Sequence, residues 1–296
     1  MLRRILLCLA LASLPLSAEL IKDQPLGQQQ GAQVRKLTYR SQRYQVEGLL
    51  FLPKIPQGQR RPVVIFSHDG ISGISREHRL SCLRLCKSGY VVFAPSYRGE
   101  DGSEGEIEIA KGEVEDVLAA ISLMQQVPQA DTQRLALAGA SHGALISLLV
   151  AARTDQVKAL VLAYGVMDIY RWWDYLNRNG KVGHDAITRR TYGDGPEARP
   201  HSFALRNGVS VVDKINCPVL VLQGKKDDIV PYQQALMLEK AMHKAGKAVQ
   251  VELYSDCLHG FLVYAPFLPS HDVSPAERRQ TEQSWKTMLQ FLEKNL

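Results

Sequence analysis

The segment Gly139-Ala140-Ser141-His142-Gly143 sets a serine between two glycines, with an apolar run before it and an apolar, helix-length run after it. A serine held on a sharp strand-to-helix turn needs tiny neighbours, because the strained backbone presses the flanking residues against the adjacent strand and helix. Such a turn lifts the hydroxyl clear of a sheet. It also leaves backbone N–H groups at a helix N-terminus, where partial positive charge favours an oxyanion. Chance gives a chain of this length roughly 0.1 Gly-x-Ser-x-Gly matches. Here there is one, in the strand-and-helix setting that the chemistry requires. Ser141 is therefore the candidate nucleophile.

A serine hydroxyl is a weak nucleophile at neutral pH; it needs a base, and the base needs an acid to fix its tautomer. Beyond Ser141, the apolar run CPVLVLQG ends in KKDDIVPY, which offers Asp227 and Asp228 on a strand-end loop. Asp227 is the preferred acid and Asp228 the alternative. Past them stand His243 inside a helical pattern, His271 in the Pro-bounded FLPSHDVSP, and His259 in YSDCLHGF, directly after the last strand pattern. A base belongs on a strand-end loop, which selects His259. The backbone N–H of His142 is one candidate oxyanion donor. The other is expected from VVIFSHDGISG, with Gly70 preferred over its neighbours Asp69 and Ile71.

The elements that must position these groups follow from hydrophobic patterning. Short apolar runs at 63–67, 90–96, 134–139, 158–165, 217–224 and 249–255 alternate with helix-length stretches at 76–88, 107–126, 143–153, 232–245 and 274–295. Runs buried on both faces and separated by helices predict an α/β fold, a mainly parallel central sheet with helices on both faces. In such folds chemistry gathers at the carboxyl ends of the strands. Two extended segments, VRKLTYR and YQVEGLLFLP, precede the alternation, and residues 19–36 with their Gln28-Gln29-Gln30 tract read as a flexible lead-in to one catalytic domain over 37–296. The interval 168–216 breaks the rhythm and is rich in aromatics. It reads either as a partial cap over the catalytic face or as a solvent-facing excursion whose Trp172, Trp173 and Tyr175 pack on the scaffold. The acidic loop 100–108 reads either as a subsite for a cationic substrate group or as a solvated lead into a helix N-terminus.

Composition narrows the function classes. The 296 residues are 45% apolar and 22% charged, enough for a large core, and the formal charge is +6 with scattered lysines and arginines. No aromatic-interleaved basic stripe is present, so nucleic acid is not an expected partner. The first 18 residues carry Arg3 and Arg4, an apolar run and small residues at Ser17 and Ala18, which reads as a signal peptide and predicts a periplasmic or secreted protein. That run is too short to span a bilayer. Cys82 and Cys86 would lie one helical turn apart, either as a disulfide or as small buried thiols. Cysteine and histidine spacing suggests no zinc site, and no cofactor is expected.

Four segments give the chain a family resemblance. FSHDG resembles a His-Gly-Gly oxyanion loop, APSYRGEDGSEG a Tyr-Arg-Gly loop, GASHGA the nucleophile turn, and QGKKDDIVP with CLHGF the acid and histidine segments of the α/β-hydrolase superfamily. The likeness is to its prolyl oligopeptidase and dienelactone hydrolase-like branch and spans roughly residues 37–295. It implies an α/β-hydrolase fold, acyl transfer at Ser141, and Asp227 as the catalytic acid. Three positions depart from the pattern: Asp69 replaces a glycine of the oxyanion loop, Gln223 stands where a histidine is usual, and Ala144 where a further glycine is common. A carboxylate at position 69 would oppose developing negative charge unless paired or turned away. The family's large peptidases carry a propeller that restricts them to short peptides, for which this chain has no length. The expectation is a serine hydrolase of small carboxylic esters, with a short-peptide peptidase or amidase as the alternative and a binding module on the same fold as a third reading.

Overall fold

The computed structural model describes residues 18–269 and 271–296. Residues 1–17, and with them nearly all of the expected signal peptide, lie outside the described residues. Nine strands form one sheet: β1 (Leu20–Gln29), β2 (Ala32–Ser41), β3 (Tyr44–Leu52), β4 (Arg61–Ser67), β5 (Val91–Pro95), β6 (Ala130–Ala140), β7 (Val157–Ala163), β8 (Val219–Gly224) and β9 (Val249–Tyr254). Their order is β1-β2-β3-β5-β4-β6-β7-β8-β9. The first three strands meander antiparallel onto β5, and every later pairing is parallel.

The period-two rule sorts the central strands between two cores. Val63 and Ile65 of β4 with Leu135 and Leu137 of β6 face one layer; Val64 and Phe66 with Ala136 and Ala138 face the other. On the first face pack α2 (Gly112–Leu123), α3 (His142–Ala151) and α7 (Gln233–Lys244), through residues such as Val117, Ile146 and Leu238. On the second pack α1 (Arg76–Lys87) and α8 (Pro275–Asn295), through Leu85 and Trp285. Cys82 and Cys86 are free buried thiols on α1, and burial pushes the Cys86 thiol up to about 12. No helix of the described residues is long and apolar enough to cross a membrane.

Two expectations need correction. Residues 20–29, expected as flexible lead-in, form β1, which pairs with β2 from Leu20↔Tyr39 to Gln29↔Ala32. Its side chains are largely exposed and polar, so backbone hydrogen bonding rather than apolar burial makes the strand, and Lys22 and Asp23 keep this sheet edge hydrophilic. The helix expected from 107 starts at Gly112. The Glu113 carboxylate accepts the N–H groups of Glu108, Ile109 and Lys111, and this holds Ile109 and Ala110 in left-handed conformations with φ 50° and 52°. The interval 168–216 contributes α4 (Ile169–Arg178), α5 (Ala186–Tyr192) and α6 (Pro200–Leu205), whose Trp173, Tyr192 and Phe203 share a small apolar cluster with Val230.

Candidate active site

β6 ends at Ala140 and α3 begins at His142, so Ser141 alone makes the turn, with φ 49° and ψ −113°. The two glycines are demanded by contact. A Cβ on Gly139 would fall 2.2 Å from the carbonyl oxygen of Gly143, and one on Gly143 would fall 2.1 Å from that of Ser67. Backbone atoms on packed elements cannot yield that far. The glycines therefore let α3 sit directly against the end of β4, which aims the serine over the sheet's carboxyl edge.

His259 follows β9 on its strand-end loop, and its Nε2 lies 3.0 Å from Ser141 Oγ. Its Nδ1 lies 2.8 Å from Asp227 Oδ2. A carboxylate only accepts, so Nδ1 carries the proton and Nε2 is left to accept from the hydroxyl. The structure thus brings Ser141, His259 and Asp227 into one hydrogen-bonded chain from segments far apart in sequence. The ring edge of Tyr164 packs T-shaped on His259, with centroids 4.9 Å apart. Asp227 is itself held: Oδ1 accepts from the N–H groups of Ile229 and Val230, and Oδ2 accepts from Gln223 Nε2. Gln223, noted in sequence only as a departure, is a residue that the sequence reading did not place in the site. Asp228 points elsewhere; it is exposed and paired with Lys181, which lowers its pKa. His243 belongs to α7 and His271 pairs with Asp272.

Asp69 is paired, as its position demanded. Its Oδ1 accepts from His78 Nε2 at 2.9 Å and from Tyr264 OH at 2.5 Å. Burial opposes ionisation of this carboxyl, but the hydrogen bonds from His78 and Tyr264 outweigh it and hold the pKa below the usual value. Gly70, with φ 68°, borders the same cavity as Ser141 and His142. That cavity has a volume of about 380 Å³ and its walls include Ile109, Leu145, Trp172, Trp173, Tyr192 and Val230. Among the described residues, Lys181 is the one charged residue of its lining. None of the acids of the loop 100–108 reaches the cavity: Glu100 is buried against His68, Glu106 pairs with Arg190, and Glu108 with Arg98 and Lys111. Three side chains tie α4 and the residues after it to the acid loop. The Trp172 indole donates to the carbonyl of Ile229 at 3.0 Å, Tyr175 OH to that of Asp228 at 2.6 Å, and Lys181 Nζ to Asp228 Oδ2 at 2.9 Å.

An arrangement of hydroxyl, imidazole and buried carboxylate beside an apolar cavity is suited to acyl transfer. The sequence profile of the Dienelactone hydrolase family matches residues 46–296. The chain belongs to the dienelactone hydrolase family. Among the curated relatives of this dienelactone hydrolase-family protein is the "Uncharacterized peptidase YtmA" of Bacillus subtilis, 30% identical over 226 residues, or 76% of this chain and 85% of its own. Among solved structures, the Pyrococcus horikoshii acylaminoacyl peptidase matches with a TM-score of 0.73 at 20% identity, over 90% of this chain and 42% of that one. Acetyl xylan esterase 1 of Thermoanaerobacterium matches with a TM-score of 0.68 at 19% identity, over 94% and 89%. These likenesses establish the α/β-hydrolase fold, and the chain spans less than half of the acylaminoacyl peptidase chain. The dienelactone hydrolase-family protein is a serine hydrolase.

Proposed function

We propose that the protein hydrolyses small, neutral carboxylic esters through an acyl-enzyme on Ser141. The observation that carries this reading is the unbroken Ser141–His259–Asp227 hydrogen-bond chain opening onto the apolar cavity. Ser141 Oγ attacks the ester carbonyl as His259 Nε2 takes its proton, and Asp227 holds the imidazolium through Nδ1–H. The oxyanion of the tetrahedral intermediate is stabilised by backbone N–H groups, assigned to His142 at the start of α3 and to Gly70. His259 returns the proton to the leaving alcohol, and a water then repeats the sequence to release the acid. The lining supports a neutral substrate. Among the described residues it contains no carboxylate to meet an α-ammonium group, and its single cation, Lys181, is engaged by Asp228. Residues 168–216 serve as a partial cap, a role supported by Trp172, Trp173 and Tyr192 in the cavity wall.

Kinship with a Bacillus subtilis protein named a peptidase supports a second reading, cleavage of amide bonds in short peptides. Matched p-nitrophenyl esters and aminoacyl-anilides separate the two: the ester reading expects the esters to turn over at least tenfold faster in kcat/KM relative to their uncatalysed rates. Ser141→Ala tests the chemistry common to both. It is expected to abolish turnover and labelling by a fluorophosphonate probe, and near-wild-type turnover in this variant would overturn the proposal.

A further inference from the structure

The imidazole of His142 has a task separate from proton transfer at Ser141. Its Nδ1 lies 3.0 Å from the carbonyl oxygen of Gly70, and its Nε2 lies 3.0 Å from the backbone nitrogen of Ala110. A carbonyl only accepts and an amide N–H only donates, so both ring nitrogens are committed: Nδ1–H donates to Gly70, and Nε2 accepts from Ala110. The two partners sit on different strand-end loops. Gly70 follows β4, and Ala110 lies in the turn ahead of α2. Both loops reach the cavity, through Gly70 and Ile71 on one side and Ile109 on the other.

Each loop is anchored beside these residues, Asp69 by His78 and Tyr264 and the carbonyls of Glu108 and Ile109 by Arg206, while the Gly70 carbonyl and the Ala110 amide are bonded by His142. A Cβ at Gly70 would meet nothing within 4 Å, so its left-handed backbone has open space on that side. Ile109 and Ala110 are consecutive left-handed residues without glycine's freedom, and such a pair persists only where surrounding bonds hold it. Glu113 supplies those bonds to the amides of Glu108, Ile109 and Lys111; the amide of Ala110 is supplied by His142.

We propose that His142 is a positioning residue, a ring that ties the Gly70 loop to the Ala110 turn and thereby sets the direction of the Gly70 amide at the cavity it shares with Ser141. A protonated ring would set N–H against the N–H of Ala110 and break the tie. Burial pushes the ring's pKa down, the Glu113 carboxylate and the Gly70 carbonyl push back, and the neighbouring His68 and Glu100 act in opposite directions. Tyr97 contributes only its ring edge, at 6.1 Å between centroids.

The inference rests on the reading of Ser141 as nucleophile, and two variants separate them. His142→Asn keeps a donor near the Nδ1 position; His142→Leu is of similar size and has none. With unchanged melting temperatures, the leucine variant is expected to lose about 10- to 100-fold in kcat with KM moved less than about threefold, and the asparagine variant to recover to within about fivefold of wild type. Should the leucine variant fail to fold, His142→Ala reads the same difference. Equal losses in the donor and non-donor variants, or a wild-type kcat in the non-donor variant, would overturn the proposal. If Ser141→Ala keeps its turnover, the functional reading itself fails.

Discussion

Gln223 Nε2 donates to Asp227 Oδ2 at 3.1 Å, the same oxygen that accepts from His259 Nδ1 at 2.8 Å. The amide nitrogen also faces the carbonyl oxygens of Gly224 and Val230, so its orientation follows from three acceptors. Gln223 is 1% exposed and anchors the acid to the end of β8. Replacement by leucine, close in size, removes a hydrogen bond to a charged group, which is worth about 1.5–3 kcal/mol. If part of that energy orients His259, Gln223→Leu lowers kcat by about tenfold or more, while Gln223→Glu sets a second carboxylate against Asp227 and is worse. Steady-state kinetics on one p-nitrophenyl ester decides; a wild-type kcat in the leucine variant would show that the backbone amides of Ile229 and Val230 suffice.

The contact between α3 and the end of β4 makes a second expectation. In Gly143→Ala the new methyl would lie 2.1 Å from the carbonyl oxygen of Ser67 and 2.5 Å from that of His68. Both are backbone atoms beside the core, so the clash is relieved only by pushing α3 off the sheet. The variant is expected to lose at least about 3 kcal/mol of stability or to be insoluble, read by thermal melting and soluble yield. A melting temperature within two or three degrees of wild type would refute the close approach.

A third expectation concerns His259. Its Nε2 lies against Ser141 Oγ and its Nδ1 against Asp227, so removal of the ring removes the base that the proposed reading requires. His259→Ala is expected to lower kcat at least about a thousandfold with the melting temperature unchanged, read by initial rates on a p-nitrophenyl ester. Turnover within about tenfold of wild type would remove His259 from the proton transfer.

Asp69 gives a prediction on stability. Its folded-state pKa lies below the ordinary 3.8, so its contribution is fully present above that value and is lost as pH falls through the lowered one. Asp69→Asn is expected to be less stable than wild type by about 1–2 kcal/mol at pH 7, with the gap shrinking below about pH 4. Urea midpoints at both pH values measure it. A gap that stays constant or widens on acidification would show that Asp69 is not ionised in the fold.

How much of this is readable from the chain depends on how local the cause is. The strand patterns around Val64, Leu137 and Val221 are legible because a strand buried on both faces must be continuously apolar. Ser141 is legible as a candidate because it directly follows such a run in β6, and His259 because it lies on the loop after the last strand, β9. β1 is not, since LIKDQPLGQQ has no apolar alternation and becomes a strand only through its pairing with β2. The start of α2 is displaced by a carboxylate that competes for the amides preceding it. The pairing of Asp69 with Tyr264 joins residues 195 apart, and no pattern at either end announces it. Gln223 looks like the last polar residue of a strand until Asp227 is seen beside it.

The grip of Trp172 and Lys181 on Ile229 and Asp228 links the cavity wall to the loop that carries Asp227. On the proposed reading, taste and speed consequently share one mechanical part. A chimaera that exchanges only the helix at Ile169–Arg178 for a relative's will come out slow as well as altered in preference, and laboratory evolution toward bulkier acyl groups will gather its compensating changes around 228–230.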